Sequence, residues 1–275
     1  LDPWFKRTYP LKHLKKWLYW PWAEYRIMRD AAAVIFTSEQ ERLEARESFW
    51  LYRVREKVSS LGIESPEAPS ADVHGKLFEN FPQLRGTRPL LFLGRLHPKK
   101  GCDLAIEAFA TAGGPAANMS LIMAGPDQVG WRNALQKRAR ELGAESHVVF
   151  AGMLEGESKR SALLNAEALI LPSHQENFGM AVIEALALGV PVLISNRVNT
   201  AGEIESDRAG YVASDDLAGT TSLIKRWIET SPDVKQSMAR NARACFARRY
   251  EINRAVDSLL EILAEPPIGG SPRKR

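Results

Sequence analysis

Cysteine is nearly missing from this 275-residue chain, which carries only Cys102 and Cys245, far apart and both inside segments with helical periodicity. That excludes a disulfide framework and predicts two reduced, packed thiols. Long apolar runs are missing as well. The longest, residues 31–36 and 168–172, fall far short of the roughly 20 residues that cross a bilayer. Residues 1–10 carry charge and tryptophan in place of an export signal's apolar stretch and small-residue cleavage site, so a cytoplasmic location is expected. There is no Asp-x-Asp pair and no His/Cys cluster at ligand spacing, so neither a metal nor another cofactor is expected. A Walker A loop and a Gly-x-Gly-x-x-Gly fingerprint are also absent, which sets aside the commonest phosphate-binding and dinucleotide-binding classes.

What is present is an ordinary globular balance, 45% hydrophobic and 25% charged residues, enough to bury a sizeable core. The net charge of +4 is local. Residues 1–30 hold Lys6, Arg7, Lys12, Lys15, Lys16, Arg26 and Arg29 against Asp2, Glu24 and Asp30, and seven minus three accounts for the whole excess. A balanced remainder argues against a nucleic-acid partner. The same stretch carries Trp4, Trp17, Trp20 and Trp22. Aromatics beside cations suit either a helix at a membrane surface or one that packs its rings on the protein and turns its lysines to water.

Along the chain, short β-rich runs alternate with amphipathic segments, the pattern of βαβ units around a parallel sheet. A helix over residues 11–28 is interrupted by Pro21. A strand near 33–37 leads to Ser38, placed to cap a helix over 39–49 with Glu41 near the capping-box position. Residues 57–61 suggest another strand, and 62–88, rich in Pro, Gly, Ser and acid, read as a linker. Five strands, at 90–93, 120–124, 147–150, 168–171 and 191–194, then alternate with helices, followed by a short strand at 210–212. The expected organisation is residues 1–61 as the remnant of an N-terminal domain, 62–88 as linker, 89–230 as a doubly wound Rossmann-like α/β domain with helices on both faces, 231–264 as closing helices and 265–275 as a disordered tail.

Ligands of such sheets bind beyond the carboxyl ends of the strands, which directs attention to the loops. The first, Gly94-Arg95-Leu96-His97-Pro98-Lys99-Lys100-Gly101, offers a guanidinium fork and point charges for an anion. The second runs Pro172-Ser173-His174-Gln175-Glu176-Asn177-Phe178-Gly179-Met180 into a helix that carries Glu184, eight residues after Glu176. Backbone N–H groups at Phe178, Gly179 and Met180 then face a phosphate at a helix N-terminus, flanked by carboxylates that accept from hydroxyls. Gly179 lets a ligand approach the backbone closely. A nucleotide sugar fits this arrangement.

These loops resemble those of the retaining glycosyltransferases of family 4. Residues 95–101 are similar to the family's Gly-Arg-Leu-x-x-x-Lys-Gly loop and 172–192 to its Glu-x7-Glu segment, including Glu-Asn-Phe-Gly and Glu-Ala-Leu-Ala-Leu-Gly-Val-Pro-Val. Ala124-Gly125-Pro126 and Phe150-Ala151-Gly152 also match, and the similarity spans residues 90 to about 226. The resemblance implies a GT-B fold, two Rossmann-like domains of which the C-terminal one binds the donor. It implies that Arg95 and Lys100, with Gly94, neutralise the donor diphosphate, and that Glu176 holds the sugar hydroxyls. Asn177, Phe178, Gly179 and Met180 would contact sugar and phosphate, Glu184 the ribose, and Met153 and Leu154 the base. The implied reaction is metal-independent glycosyl transfer with retention, from a UDP-, GDP- or ADP-linked sugar to a glycan or lipid-linked acceptor at the cytoplasmic membrane face.

Two features depart from the family pattern. Asn196-Arg197-Val198-Asn199-Thr200-Ala201-Gly202-Glu203-Ile204 replaces its Gly-Gly-x-x-Glu run. Residues 1–61 resemble only the last portion of an N-terminal domain, so a separate N-terminal partner or a homodimer is expected. A catalytically silent nucleotide-sugar-binding module, or half of a split enzyme, is the alternative, and an epimerase or phosphorylase of GT-B type a weaker third.

Overall fold

The computed structural model describes residues 8–48, 51–67 and 72–265. The expected tail therefore lies outside the described residues from 266 onward, as do Trp4, Lys6 and Arg7. The chain divides into two compact units, residues 65–248 and residues 1–64 with 249–275.

The larger unit is built on six parallel strands, β3 (Arg88–Leu93), β4 (Met119–Ala124), β5 (Val148–Gly152), β6 (Ala168–Leu171), β7 (Val192–Ser195) and β8 (Gly210–Ala213), in the order β5-β4-β3-β6-β7-β8. Strands covered on both faces by helices read as continuous apolar runs, and β4, β6 and β7 are buried at every position. The short strand expected at 210–212 is thus the sixth member of the sheet, paired with β7 from Val192↔Gly210 to Ser195↔Ala213. From central β3 the chain moves outward through β4 and β5, then returns to the other side of β3 for β6, β7 and β8. The sheet therefore reverses direction between β3 and β6, the place where open α/β sheets leave a crevice at their carboxyl ends.

Connecting helices alternate with the strands: α5 (Cys102–Thr111), α6 (Arg132–Glu141), α7 (Gly156–Asn165), α8 (Met180–Ala187), α9 (Ala201–Asp207) and α10 (Leu217–Glu229). The thiol of Cys102 is buried at the start of α5, and that burial pushes its pKa up to about 12. Cys245 is also buried and free.

The linker reading of 62–88 misses an element. Helix α4 (Val73–Asn80) forms there, followed by a 3₁₀ turn at Pro82–Leu84, and Val73, Leu77 and Leu84 are buried. The turn-rich composition hid it, because only two apolar side chains of eight residues face inward. It is tied to the sheet's helices by the Leu77 N–H, which donates to Ser161 Oγ of α7 at 2.9 Å.

In the smaller unit, α1 (Pro10–Tyr19), a π-helical turn (Trp20–Glu24) and α2 (Tyr25–Asp30) follow one another, so Pro21 falls in the widened turn. A parallel pair, β1 (Val34–Phe36) and β2 (Glu56–Val58), brackets α3 (Glu39–Ser48). The expected cap is present. Ser38 Oγ accepts from the Glu41 N–H at 3.1 Å, while the Glu41 carboxylate reaches back to the Thr37 N–H at 2.7 Å. The closing segment breaks after α11 (Pro232–Arg249), and α12 (Ile252–Ala264) joins the smaller unit through Ile63, which bonds Tyr250 and Ile252 backbone groups at 3.0 Å each.

Leu77 is 2% exposed, so Leu77→Ala leaves a cavity under α4. The variant is expected to lose about 2–5 kcal/mol of unfolding free energy in a urea titration. A solvated linker would lose almost nothing.

Candidate functional site

The loops that leave β3 and β6 meet above the reversal point because two backbones touch. Gly101 ends the first loop with φ +65°, and a β-carbon there would lie 2.2 Å from the Pro172 carbonyl oxygen. The His174 N–H donates to the Lys99 carbonyl at 2.9 Å, a second stitch across the same gap. Within the loop the Cys102 thiol donates to the Arg95 and His97 carbonyls at 3.7 Å each. His97 Nδ1 accepts from the Lys99 N–H at 3.1 Å. Burial first, then the charges of Arg95, Lys99 and Lys100, hold this imidazole below its usual pKa, which keeps the accepting lone pair available.

On this scaffold Lys100 and Glu176, placed on different loops by the sequence, form a direct ion pair with both side chains largely buried. Glu184, one turn inside α8, is paired instead with Lys159 of α7 at 2.9 Å. Gly179 caps α8 in the left-handed region at φ +74°, with the Glu176 Cγ only 3.4 Å from where a β-carbon would stand. The helix's own hydrogen bonding begins at this glycine, whose carbonyl accepts from the Val182 and Ile183 N–H groups at 2.8 and 3.2 Å. Phe178 is buried, so its ring belongs to the core, whereas Met180 is 42% exposed.

Arg95 is separated from this pair: its Nη1 donates to Gln128 Oε1 at 2.7 Å, in the loop after β4. That loop is laced to its neighbours by Gly94 N–H to Ala124 O (2.9 Å), Leu96 N–H to Pro126 O (2.9 Å) and Gly125 N–H to Gly152 O (2.7 Å). A cavity of about 190 Å³ lies there, lined among others by Leu96, Gly125, Asp127, Arg132 and Met153. Met153 thus lines it, while Leu154 does not.

Several contributors escape a reading by motif. The Asn196–Ile204 run, a departure from the family pattern, straps Glu176 in place. The Glu176 N–H donates to Arg197 O at 3.0 Å, Asn199 N–H donates to Glu176 O at 2.9 Å, and Asn199 Nδ2 donates to Asn177 Oδ1 at 3.3 Å. Asp215, after β8, accepts from Arg197 at 3.3 Å and lies 3.0 Å from His174 Nδ1. Burial works to raise the Asp215 pKa, and the hydrogen bonds from His174 and Arg197 overcome it, leaving the carboxyl below its usual range. Lys159 carries no local signal beyond its helical position. The polar cluster just after a buried strand, residues 195–200, is the cue for the strap.

The family model described as glycosyl transferases group 1 matches residues 77–244, more than half of the chain. The chain belongs to that family. It is 27% identical over 248 residues to the alpha-D-kanosaminyltransferase of Streptomyces kanamyceticus, covering 89% of this chain and 63% of that protein. It is 31% identical over 181 residues to the D-inositol 3-phosphate glycosyltransferase of Gordonia bronchialis, covering 62% of this chain and 38% of the relative. The chain thus spans less than two thirds of either curated relative. Among solved structures, WaaG, a glycosyltransferase involved in lipopolysaccharide biosynthesis, superposes with TM-score 0.71 at 20% identity over 94% of this chain and 73% of that one. Anabaena Alr3699/HepE in complex with UDP and glucose gives TM-score 0.75 at 20% identity over 87% and 64%. The fold is that of the GT-B glycosyltransferases.

Gly101→Ala forces a β-carbon onto the Pro172 carbonyl and a residue into left-handed backbone. A loss of about 2–4 kcal/mol in denaturant unfolding is expected. The His97 imidazole titrates near 6.5 when unfolded and lower when folded. Its contribution is therefore complete above that value and lost as the pH falls below it. The denaturation midpoint should drop between about pH 7.5 and about pH 5.5, and His97→Gln should flatten that drop.

Proposed function

We propose that this chain binds a nucleotide sugar in the crevice above β3 and β6 and belongs to a glycosyltransferase that passes the sugar on with retention of anomeric configuration, as in family 4. The observation that carries the reading is the Lys100–Glu176 pair set beside the Gly179-capped start of α8. A cation, a carboxylate and the N-terminus of α8 converge where the sheet reverses, which suits a phosphate bonded to a sugar. The UDP and glucose held by the Anabaena neighbour support it by analogy.

In this reading the diphosphate draws Lys100 out of its pairing with Glu176, and the freed carboxylate accepts from sugar hydroxyls. Arg95 turns from Gln128 toward the same diphosphate, and Glu184 accepts from the ribose. Asn177, Gly179 and Met180 meet sugar and phosphate, while the cavity beside Met153 receives the base. As the glycosidic bond to phosphate breaks, negative charge grows on the departing nucleotide. Arg95 and Lys100 stabilise that charge, and no metal cofactor is invoked. The acceptor we assign is a glycan or a lipid-linked acceptor.

Calorimetry of the full chain with UDP, GDP and ADP tests the donor site. One nucleotide should bind, and Lys100→Ala and Glu184→Ala should each weaken it by about tenfold or more. No binding of any of the three to the folded chain overturns the reading. With donor and acceptor supplied, Lys100→Ala should raise the transfer barrier by about 3 kcal/mol, the usual worth of one preorganised charge donor. Binding without transfer leaves the chain as a nucleotide-sugar-binding module.

A further inference from the structure

Among the described residues, the helical stretch of residues 10–30 is anchored along the side that carries Trp20. Trp20 is 1% exposed, donates its indole N–H to the Leu51 carbonyl at 2.7 Å, and packs with Tyr25, Met28, Leu51 and Tyr52. On the other side the apolar side chains face out: Leu11 is 82% exposed, Leu14 57%, Leu18 70% and Trp22 80%. At about 100° per residue, Leu11, Leu14 and Leu18 fall within an arc of roughly 60°, and Trp22 continues the stripe one turn on. No residue of α1 is buried.

Cations border the stripe. Lys12 and Lys15 are exposed beside Leu11 and Leu18, and Arg26 is exposed one turn beyond Trp22. The core of a protein interface is depleted in lysine, whereas a bilayer surface accepts the apolar row and lets flanking lysines reach the phosphates. The charge is selective within the molecule. α12 presents a comparable exposed row, Val256, Leu259, Leu260 and Leu263, but Asp257 and Glu261 border it, and carboxylates are repelled by an anionic surface. Among the described residues no helix is long and apolar enough to cross a membrane, so an in-plane position is the one open to α1.

We propose that residues 10–30 lie in the surface of an anionic lipid bilayer, with Leu11, Leu14, Leu18 and Trp22 inserted between the acyl chains and Lys12, Lys15 and Arg26 at the headgroup phosphates. This docking stands apart from the donor chemistry of the other unit and is tested without it.

The full chain is sedimented with vesicles of phosphatidylcholine alone and with vesicles containing roughly one third phosphatidylglycerol. Partition is expected to be at least tenfold stronger to the anionic vesicles and to weaken in high salt. Leu14→Ser with Leu18→Ser, at exposed positions that leave the fold intact by circular dichroism, should reduce it by about tenfold or more. Lys12→Glu with Lys15→Glu should abolish the preference for anionic lipid while the melting temperature stays unchanged. The proposal is overturned if the folded chain ignores both vesicles or if the leucine variant partitions as well as the parent. It also fails if the chain forms a stable dimer that shields Trp22 and does not bind lipid.

Discussion

The backbone at Gly101 lies so close to the Pro172 carbonyl that a β-carbon has no room between them. The central pair of the candidate site depends on that approach. It brings the loop after β3 within reach of the loop after β6, and so sets Lys100 against Glu176. A side chain at position 101 would collide with the Pro172 carbonyl and press the two loops apart. The reversal of strand order supplies the space above, and the glycine contact decides which side chains border it.

Charge at the site is held in pairs. Lys100 with Glu176 and Lys159 with Glu184 are each partly withdrawn from water, and a lone member of either pair would be costly to leave there. Pairing keeps both side chains ordered in the unliganded chain. In the proposed donor site an arriving anion would exchange one partner for another without first having to organise the cation, which is the advantage of preorganisation. Farther from the crevice, Asp215 has a similar ordering effect: it holds Arg197 and His174, whose backbones in turn position Glu176 and the Lys99 turn.

The two units differ in how completely they cover themselves. Of the twenty exposed large apolar side chains among the described residues, fifteen belong to the smaller unit and five to the sheet unit. On α1 the apolar row comes with cations and on α12 with carboxylates, which separates two surfaces that hydrophobicity alone would treat alike.

Much of this was legible in the residues alone. The apolar runs 90–93, 121–124, 168–171 and 192–194 mark β3, β4, β6 and β7, whose faces are covered, and the two loops stand out through Arg95, Lys100, Glu176 and Gly179. α4 was not legible, since two inward apolar side chains in a turn-rich stretch leave no period to detect. Nor could sequence spacing say that Lys100 meets Glu176 while Arg95 reaches Gln128, or that Lys159 answers Glu184. Those partners sit 76, 33 and 25 residues apart. Local propensity acts over a few residues, so the sequence by itself determined most of the element types and which charged side chains each loop carries. Which loops became neighbours was decided by the strand order β5-β4-β3-β6-β7-β8, a property of how the sheet packs as a whole.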